Sequence, residues 1–332
     1  MSIERKENVL QNFIYFDEET IPLRSSDSVT PIKLEPTSAI VVIGYIPNNS
    51  TRFAINLTCR TSGNIAFHFN PRLDRGYIVR NSKVKGYWHE EETCSPYISA
   101  SRLFQHNNYF HLIIFCLSKE FYVSVNGHHF CTFAYRLPLE SIINFEYNGE
   151  IEDVRFRLKT LCIYPDPKII QTSKKFQLSQ HQLLTEDLNV PITVSITEEF
   201  QCGTRIFIKG RLKLLPHSFY VNLQNSPLLF PHPDIALHLN PRFQYGHQTP
   251  CVVMNCWTNG SWQHEERHEG QLSWGPGRDF LLTIRCEYEG YIIWLGNKMI
   301  GEFKHRIKPS VVDTLQITGD VMLYELGLSY GG

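Results

Sequence analysis

Two sets of residues in this chain have the types and spacing of a recognition surface. The stretch His68-Phe69-Asn70-Pro71-Arg72 returns as His238-Leu239-Asn240-Pro241-Arg242. Each copy is followed by Val-x-Asn, ending at Asn81 and Asn255, then by Trp88 or Trp262, and three residues later by Glu91 or Glu265. In an extended strand alternate side chains point the same way. His68, Asn70 and Arg72 therefore share one face, with Ile65, Phe67 and Phe69 on the other. The second copy sets His238, Asn240 and Arg242 opposite Ile235, Leu237 and Leu239. One face reads as core. The other carries polar groups that core packing does not require.

In the second half these groups are His238, Asn240, Arg242, Asn255, Trp262, Glu265 and Arg267. Guanidinium groups can fork onto Glu265 and fix both charges, leaving donors and acceptors aimed outward. Such a patch beside an exposed indole suits a ligand with an apolar face and ordered hydroxyls. A sugar ring is one, its C–H face packing on the aromatic and its hydroxyls meeting the polar groups.

The elements that must position these residues are strands. Apolar runs are short, β-branched or aromatic, and bounded by turn residues, as at 39–46, 53–57, 64–69, 77–79, 112–117 and 121–125. Asn126-Gly127 marks a tight hairpin turn. The best helical candidate is the short stretch from Ser179 to Asp187. The expectation is all-β, with about ten short strands to a domain in a sandwich or jelly roll. His68 to His238, Phe110 to Phe280, Cys116 to Cys286, Phe133 to Phe303, Arg136 to Arg306 and Gly149 to Gly319 are each separated by 170 residues, whereas Asn81 to Asn255 and Trp88 to Trp262 are separated by 174. Insertions confined to loops between strands in register indicate a duplicated domain. The expected layout is a polar N-terminal segment at 1–28, domains at 29–165 and 188–332, and a linker at 166–187. A fully flexible linker of that length would span roughly 25 Å.

The chain of 332 residues has a net charge of −1 and 42% apolar residues, which fits a soluble globular protein and gives no basic footprint for nucleic acid. The nine cysteines lack the spacing of a disulfide scaffold and read as buried free thiols. No second His or Cys stands at metal-ligand spacing from His68 or His238, and no cofactor is expected. His128, His129 and His264 read as solvated, and Trp274 as a core or loop residue. Glu265 and Glu266 should point to opposite faces, which argues against a glycosidase pair. With no signal-like start or apolar run of membrane length, synthesis in the cytoplasm and no membrane insertion are expected.

The motifs His-x-Asn-x-Arg, Val-x-Asn and Trp-x-x-Glu-x-Arg, with seven residues from Asn to Trp, resemble the carbohydrate-recognition domain of galectins over roughly 30–165 and 188–330. Their presence twice is similar to the tandem-repeat galectins. The resemblance implies two tandem jelly-roll β-sandwiches of antiparallel strands, metal-free binding of β-galactosides on glycoproteins or glycolipids, no catalysis, and cross-linking by two sites. It implies that His238, Asn240 and Arg242 hold galactose O4 and that Trp262 stacks on the ring. Asn255 and Glu265 would then hold O6, while Glu265, Arg267 and Arg242 reach the neighbouring sugar. The first domain matches at His68, Asn70, Arg72, Asn81, Trp88 and Glu91, but Thr93 stands where the second Arg belongs, and the loop before Asn81 is shorter. Weaker or different glycan binding is expected there. The rival expectation is a galectin-fold adaptor whose first domain makes protein contacts. The resemblance also permits export without a signal peptide, and self-association stays open.

Overall fold

The computed structural model describes Phe13 and residues 19–23, 29–93, 103–165, 177–180, 182–243, 250–269 and 274–331. The chain divides into two compact units, Met1–Asp166 and Pro167–Gly332.

The first unit holds two six-stranded antiparallel sheets. One runs Val29–Pro31 (β2), Ile142–Gly149 (β11), Phe53–Cys59 (β4), Ile65–Arg72 (β5), Tyr77–Val84 (β6) and Tyr87–Trp88 (β7). The other runs Ile21–Pro22 (β1), Glu152–Thr160 (β12), Ser38–Ile46 (β3), Asn108–Cys116 (β8), Glu120–Val125 (β9) and His128–Ala134 (β10). Their facing sides share one core in which Phe67, Phe69, Phe110, Phe121 and Phe133 are nearly or wholly buried. Each such side chain contributes about 1.5–3 kcal/mol relative to exposure.

In the second unit the first sheet runs Gln177–Leu178 (β13), Ile192–Ile196 (β15), Thr314–Gly319 (β25), Phe219–Gln224 (β17), Ile235–Arg242 (β18), Cys251–Thr258 (β19) and Ser261–Trp262 (β20). Glu266–Glu269 (β21) also pairs with β19. The second sheet runs Leu183–Leu184 (β14), Val321–Tyr330 (β26), Thr204–Leu212 (β16), Asp279–Cys286 (β22), Gly290–Leu295 (β23) and Lys298–Lys304 (β24). Leu237, Leu239, Phe280, Ile284 and Phe303 fill the core between them.

The all-β reading and the antiparallel sandwiches are as expected, and several details differ. Ile21–Pro22 pairs with Phe156 and Arg155, so sheet structure begins inside the segment read as polar lead-in. Gln177–Leu178 runs parallel to Ser195–Ile196, and Leu183–Leu184 pairs with Leu326 and Gly327, so the segment read as linker contributes two strands. The helical candidate within it instead contributes β14, and Gln182 N just before that strand donates to Ser179 O at 3.2 Å. Two-residue edge strands carry too little periodicity to be read from sequence.

Strict alternation also fails within β5 and within β18. A bulge between Ile65 and His68, and between Ile235 and His238, shifts the register against the next strand. The extra residue reverses the alternation upstream, so Ala66 and Ala236, rather than Ile65 and Ile235, enter the core clusters. Downstream the expected faces hold.

The hairpins that carry the two tryptophans have a specific cause. Lys85 and Gly86, and Asn259 and Gly260, all have positive φ, as a two-residue type I′ turn requires. That turn fixes the register, placing Trp88 across from Lys83 and Trp262 across from Trp257. Asn126 and Gly127 show the same signature at the turn anticipated there.

Trp274 is core, edge-on to Phe219 and Phe280 at 5.6 and 5.5 Å. Six cysteines are buried and free; Cys162 and Cys202 are free and exposed, and Cys94 lies outside the described residues. His129 departs from its solvated reading: its Nδ1 lies 2.8 Å from the buried Tyr164 hydroxyl, and burial pushes its pKa down to about 3.

Candidate functional site

The polar faces of β5 and β18 are each built by their neighbouring strands. His238 Nδ1 lies 2.6 Å from Asn222 Oδ1 on β17, and Asn222 Nδ2 donates to Gln316 Oε1 on β25 at 3.1 Å. The second bond orients the amide so that its oxygen faces the ring. Nδ1 therefore carries the proton, and Nε2 keeps a free lone pair. Burial, aided by the nearby charge of Arg242 and opposed by Glu265, holds the His238 pKa down to about 4. His68 Nδ1 makes the same contact with Asn56 Oδ1, at 2.6 Å, and burial and Arg72 likewise push its pKa down to about 4. Near neutral pH each ring offers one acceptor.

Asn240 Nδ2 donates to Phe219 O at 2.6 Å, and its Oδ1 accepts from Arg242 Nε at 2.9 Å. Asn70 does the same with Phe53 O at 2.5 Å and Arg72 Nε at 3.2 Å. Asn255 Nδ2 donates to Gln263 O and Asn81 Nδ2 to His89 O, at 2.9 and 2.8 Å. Each of these amides is fixed by bonds within the protein and retains one N–H for a ligand.

The carboxylates separate the two units. Glu265 lies between two guanidiniums, with Oε1 2.5 Å from Arg267 Nε and Oε2 3.8 Å from Arg242 Nη2. Among the described residues the one ion pair of Glu91 is with Arg72 Nη2, at 3.5 Å, while Arg72 Nη1 donates to Tyr77 OH at 2.9 Å. The shortfall anticipated from Thr93 is present, and the tyrosine that takes up part of Arg72 was not foreseen. Glu92 and Glu266, the adjacent acids, turn to other partners: Arg136 Nη2 at 2.7 Å and Arg306 Nη2 at 2.5 Å. All four of these carboxylates are thus paired with guanidiniums, unlike the two free carboxyl groups that glycoside hydrolysis uses.

Trp88 and Trp262 are half exposed, and their rings lie 4.8 and 4.9 Å from His68 and His238 with interplanar angles of 56° and 60°. In the first unit His68, Arg72, Asn81, Trp88, His89 and Glu91 line a concavity of about 270 Å³. The geometry thus gathers the polar groups of each set on one sheet face beside its indole. Among the described residues no three His, Cys, Asp or Glu side chains are placed to hold a metal ion. The arrangement offers a rigid array of acceptors and donors next to an aromatic plate.

A family model for galactoside-binding lectins matches residues 26–156 and 191–328, one match for each of these arrays. The chain belongs to this family, the galectins. This galectin is 30% identical to Galectin-8 of Rattus norvegicus over 330 residues, spanning 96% of this chain and 97% of the relative. It is 30% identical to Galectin-4 of Bos taurus over 312 residues, with 86% and 89% covered. A 32 kDa beta-galactoside-binding lectin of Caenorhabditis elegans is 29% identical over 309 residues, with 91% and 94% covered. The galectin is of the tandem-repeat type and is a lectin, not an enzyme.

Several groups that build the sites escaped sequence reading. Asn56 and Asn222, which set the histidine tautomers, stand in apolar strand runs with nothing to mark them. Lys83 and Trp257 occupy equivalent positions with different chemistry. Lys83 Nζ lies 5.7 Å from the Trp88 ring centroid. Trp257 meets Trp262 edge-on at 5.4 Å and His232 at 4.3 Å. The 174-residue offset was the signal that could have exposed this exchange.

Proposed function

We propose that the chain is a bivalent lectin whose two sites bind β-galactosides and bridge glycoconjugates. The observation that carries this is the convergence of His238, Asn240, Arg242, Asn255 and Glu265 on one face beside half-exposed Trp262, with the polar groups held by protein partners. A galactose ring laid on Trp262 would present its axial hydroxyl to His238 Nε2, the Asn240 amide and Arg242, and its primary hydroxyl to Asn255 and Glu265. The next sugar would meet Glu265, Arg242 and Arg267.

In the first unit His68, Asn70, Arg72, Asn81, Trp88 and Glu91 take the corresponding roles. Glu91 has one guanidinium partner where Glu265 has two, so this site holds the second sugar more loosely. Two sites on one chain turn monovalent contacts into bridging, and avidity can exceed either affinity by roughly 10²–10⁴ where geometry permits. The β-galactosides would be carried by glycoproteins or glycolipids outside the cell, which calls for export of a chain made in the cytoplasm.

The test is retention of the full chain on lactosyl resin and its release by free lactose. The double variant Asn70→Ala, Asn240→Ala should pass through the resin, and each single variant should bind without agglutinating glycan-coated particles. Retention of the double variant, or agglutination undiminished in the single variants, counts against the reading.

A further inference from the structure

Each His-x-Asn-Pro-Arg strand is followed by a residue that packs at the margin of its core, Leu73 in the first unit and Phe243 in the second. The segments leading into β8 and β22 bring Phe104 and Trp274 to the same two cores, again 170 positions apart. In the second unit these two rings meet edge-on at 5.9 Å, and Phe219 lies 6.2 Å from Phe243 and 5.6 Å from Trp274. In the first unit the smaller pair, Leu73 and Phe104, borders a cavity of about 300 Å³. Phe104 and Pro71 form its buried side, and the exposed Gln105 and His106 stand at its rim. Tyr77 and Arg72 also line it, joined by the bond from Arg72 Nη1 to the Tyr77 hydroxyl at 2.9 Å. His106 Nε2 donates to Ser50 O at 2.8 Å, which leaves Nδ1 of the neutral ring as an acceptor. Arg72 is the one residue that this cavity shares with the concavity beside Trp88.

We propose that this cavity is a binding site for a small free aromatic molecule with one ring N–H or O–H donor, of the indole or phenol class. It is separate from galactoside binding and does not depend on it. The second unit shows what occupant fits. There the indole of Trp274 replaces the phenyl of Phe104, and the phenyl of Phe243 replaces the isobutyl group of Leu73, so the protein completes this margin with its own rings. Atoms that line a cavity lack dispersion partners on one side, and a guest that supplies them recovers those contacts. An apolar cavity of about 150 Å³ already takes up benzene, and sites for small molecules begin at about 300 Å³. Phe104 and Tyr77 offer ring faces and edges to an aromatic guest, an arrangement aromatic pairs favour. The guest's single donor has the His106 Nδ1 and the Tyr77 hydroxyl oxygen as acceptors. Apolar walls with a few placed polar groups are the composition of a small-molecule site.

The test titrates indole and phenol into the full chain and follows binding by NMR. At least one should bind saturably, with intermolecular NOEs to Leu73, Phe104 and Tyr77 protons, and saturating lactose should not displace it. Leu73→Phe and Phe104→Trp copy the second unit and fill the cavity, so each should weaken binding of that probe at least tenfold. Thermal unfolding reports whether these variants keep their fold, and the NOEs locate the ring in the unaltered chain without them. Saturable binding of neither probe overturns the proposal. So do NOEs to Trp88 or Trp262 in place of Leu73, displacement by lactose, or undiminished affinity in a folded Leu73→Phe chain.

Discussion

Glu265 Oε1 and Arg267 Nε meet at 2.5 Å, and the first unit cannot make this contact because Thr93 has no guanidinium. Without Arg267, Glu265 keeps only the more distant Arg242 to orient its carboxylate, and the second sugar loses a guanidinium to bond to. Arg267→Thr should therefore weaken lactose binding at the second site about tenfold or more, and Thr93→Arg should strengthen it at the first. Calorimetry on full chains with the other site silenced at Trp88 or Trp262 measures both. Equal affinities of the two unaltered sites would contradict the ranking.

The depressed histidines set a pH window. A ligand hydroxyl that donates to Nε2 selects the neutral ring, so affinity should stay flat from pH 7 to 5 and fall as pH approaches the folded pKa of about 4. Stability moves in the same direction. Below the ordinary value of 6.5 the unfolded chain takes up protons that the folded rings refuse, so these groups cost stability increasingly down to about pH 4 and no more below it. Titration of binding across pH 8 to 4 checks the first statement, and an affinity loss centred near 6.5 would count against it.

Arg80 is 4% exposed, with Nη2 3.8 Å from Glu92 Oε2 and its guanidinium 5.5 Å from the Phe130 ring. The second unit has Met254 here, packed wholly in its core. Arg80 is the buried member of the pair, while Glu92 keeps 40% of its side chain exposed and a second partner in Arg136 Nη2 at 2.7 Å; removing Arg80 strands no charge, whereas removing Glu92 takes away a counter-charge of a buried guanidinium. Arg80→Met should leave stability of the first unit unchanged or raised, and Glu92→Ala should lower it by about 1–3 kcal/mol. Denaturant unfolding of the two variants should give opposite signs.

Gly319 has φ of +121°, and a Cβ there would stand 2.6 Å from both Phe219 Cα and Ser218 O. Phe219 O is the acceptor that holds Asn240. Gly319→Ala must push this backbone aside, so it should reduce stability and lactose affinity at the second site together. Gly149 has the same relation to Phe53, whose carbonyl holds Asn70. Calorimetric binding and thermal unfolding of Gly319→Ala decide the point; unaltered affinity would show that Asn240 does not depend on this strand contact.

The residues that face the ligand were legible because strand alternation ties His68 to Asn70 and Arg72, and because the set occurs twice. The residues that hold them were not. Asn222 lies 16 positions from His238 and meets it only when β17 and β18 pair. Arg80 sits at a position that alternation assigns to the core, and its charge is explained only once Glu92 is seen beside it. Ala66 took the place expected of Ile65 because a one-residue bulge leaves no trace in an apolar run. Pairing across strands, rather than local sequence, supplied each of these.

The ring of His238 is oriented from β17 and that strand's Asn222 from β25, so three consecutive strands fix one acceptor. The disorder these side chains would otherwise have is lost when the sheet forms, not when a sugar arrives. Binding then has little conformational entropy left to remove from the polar groups, and a small ligand with few contacts can still be held.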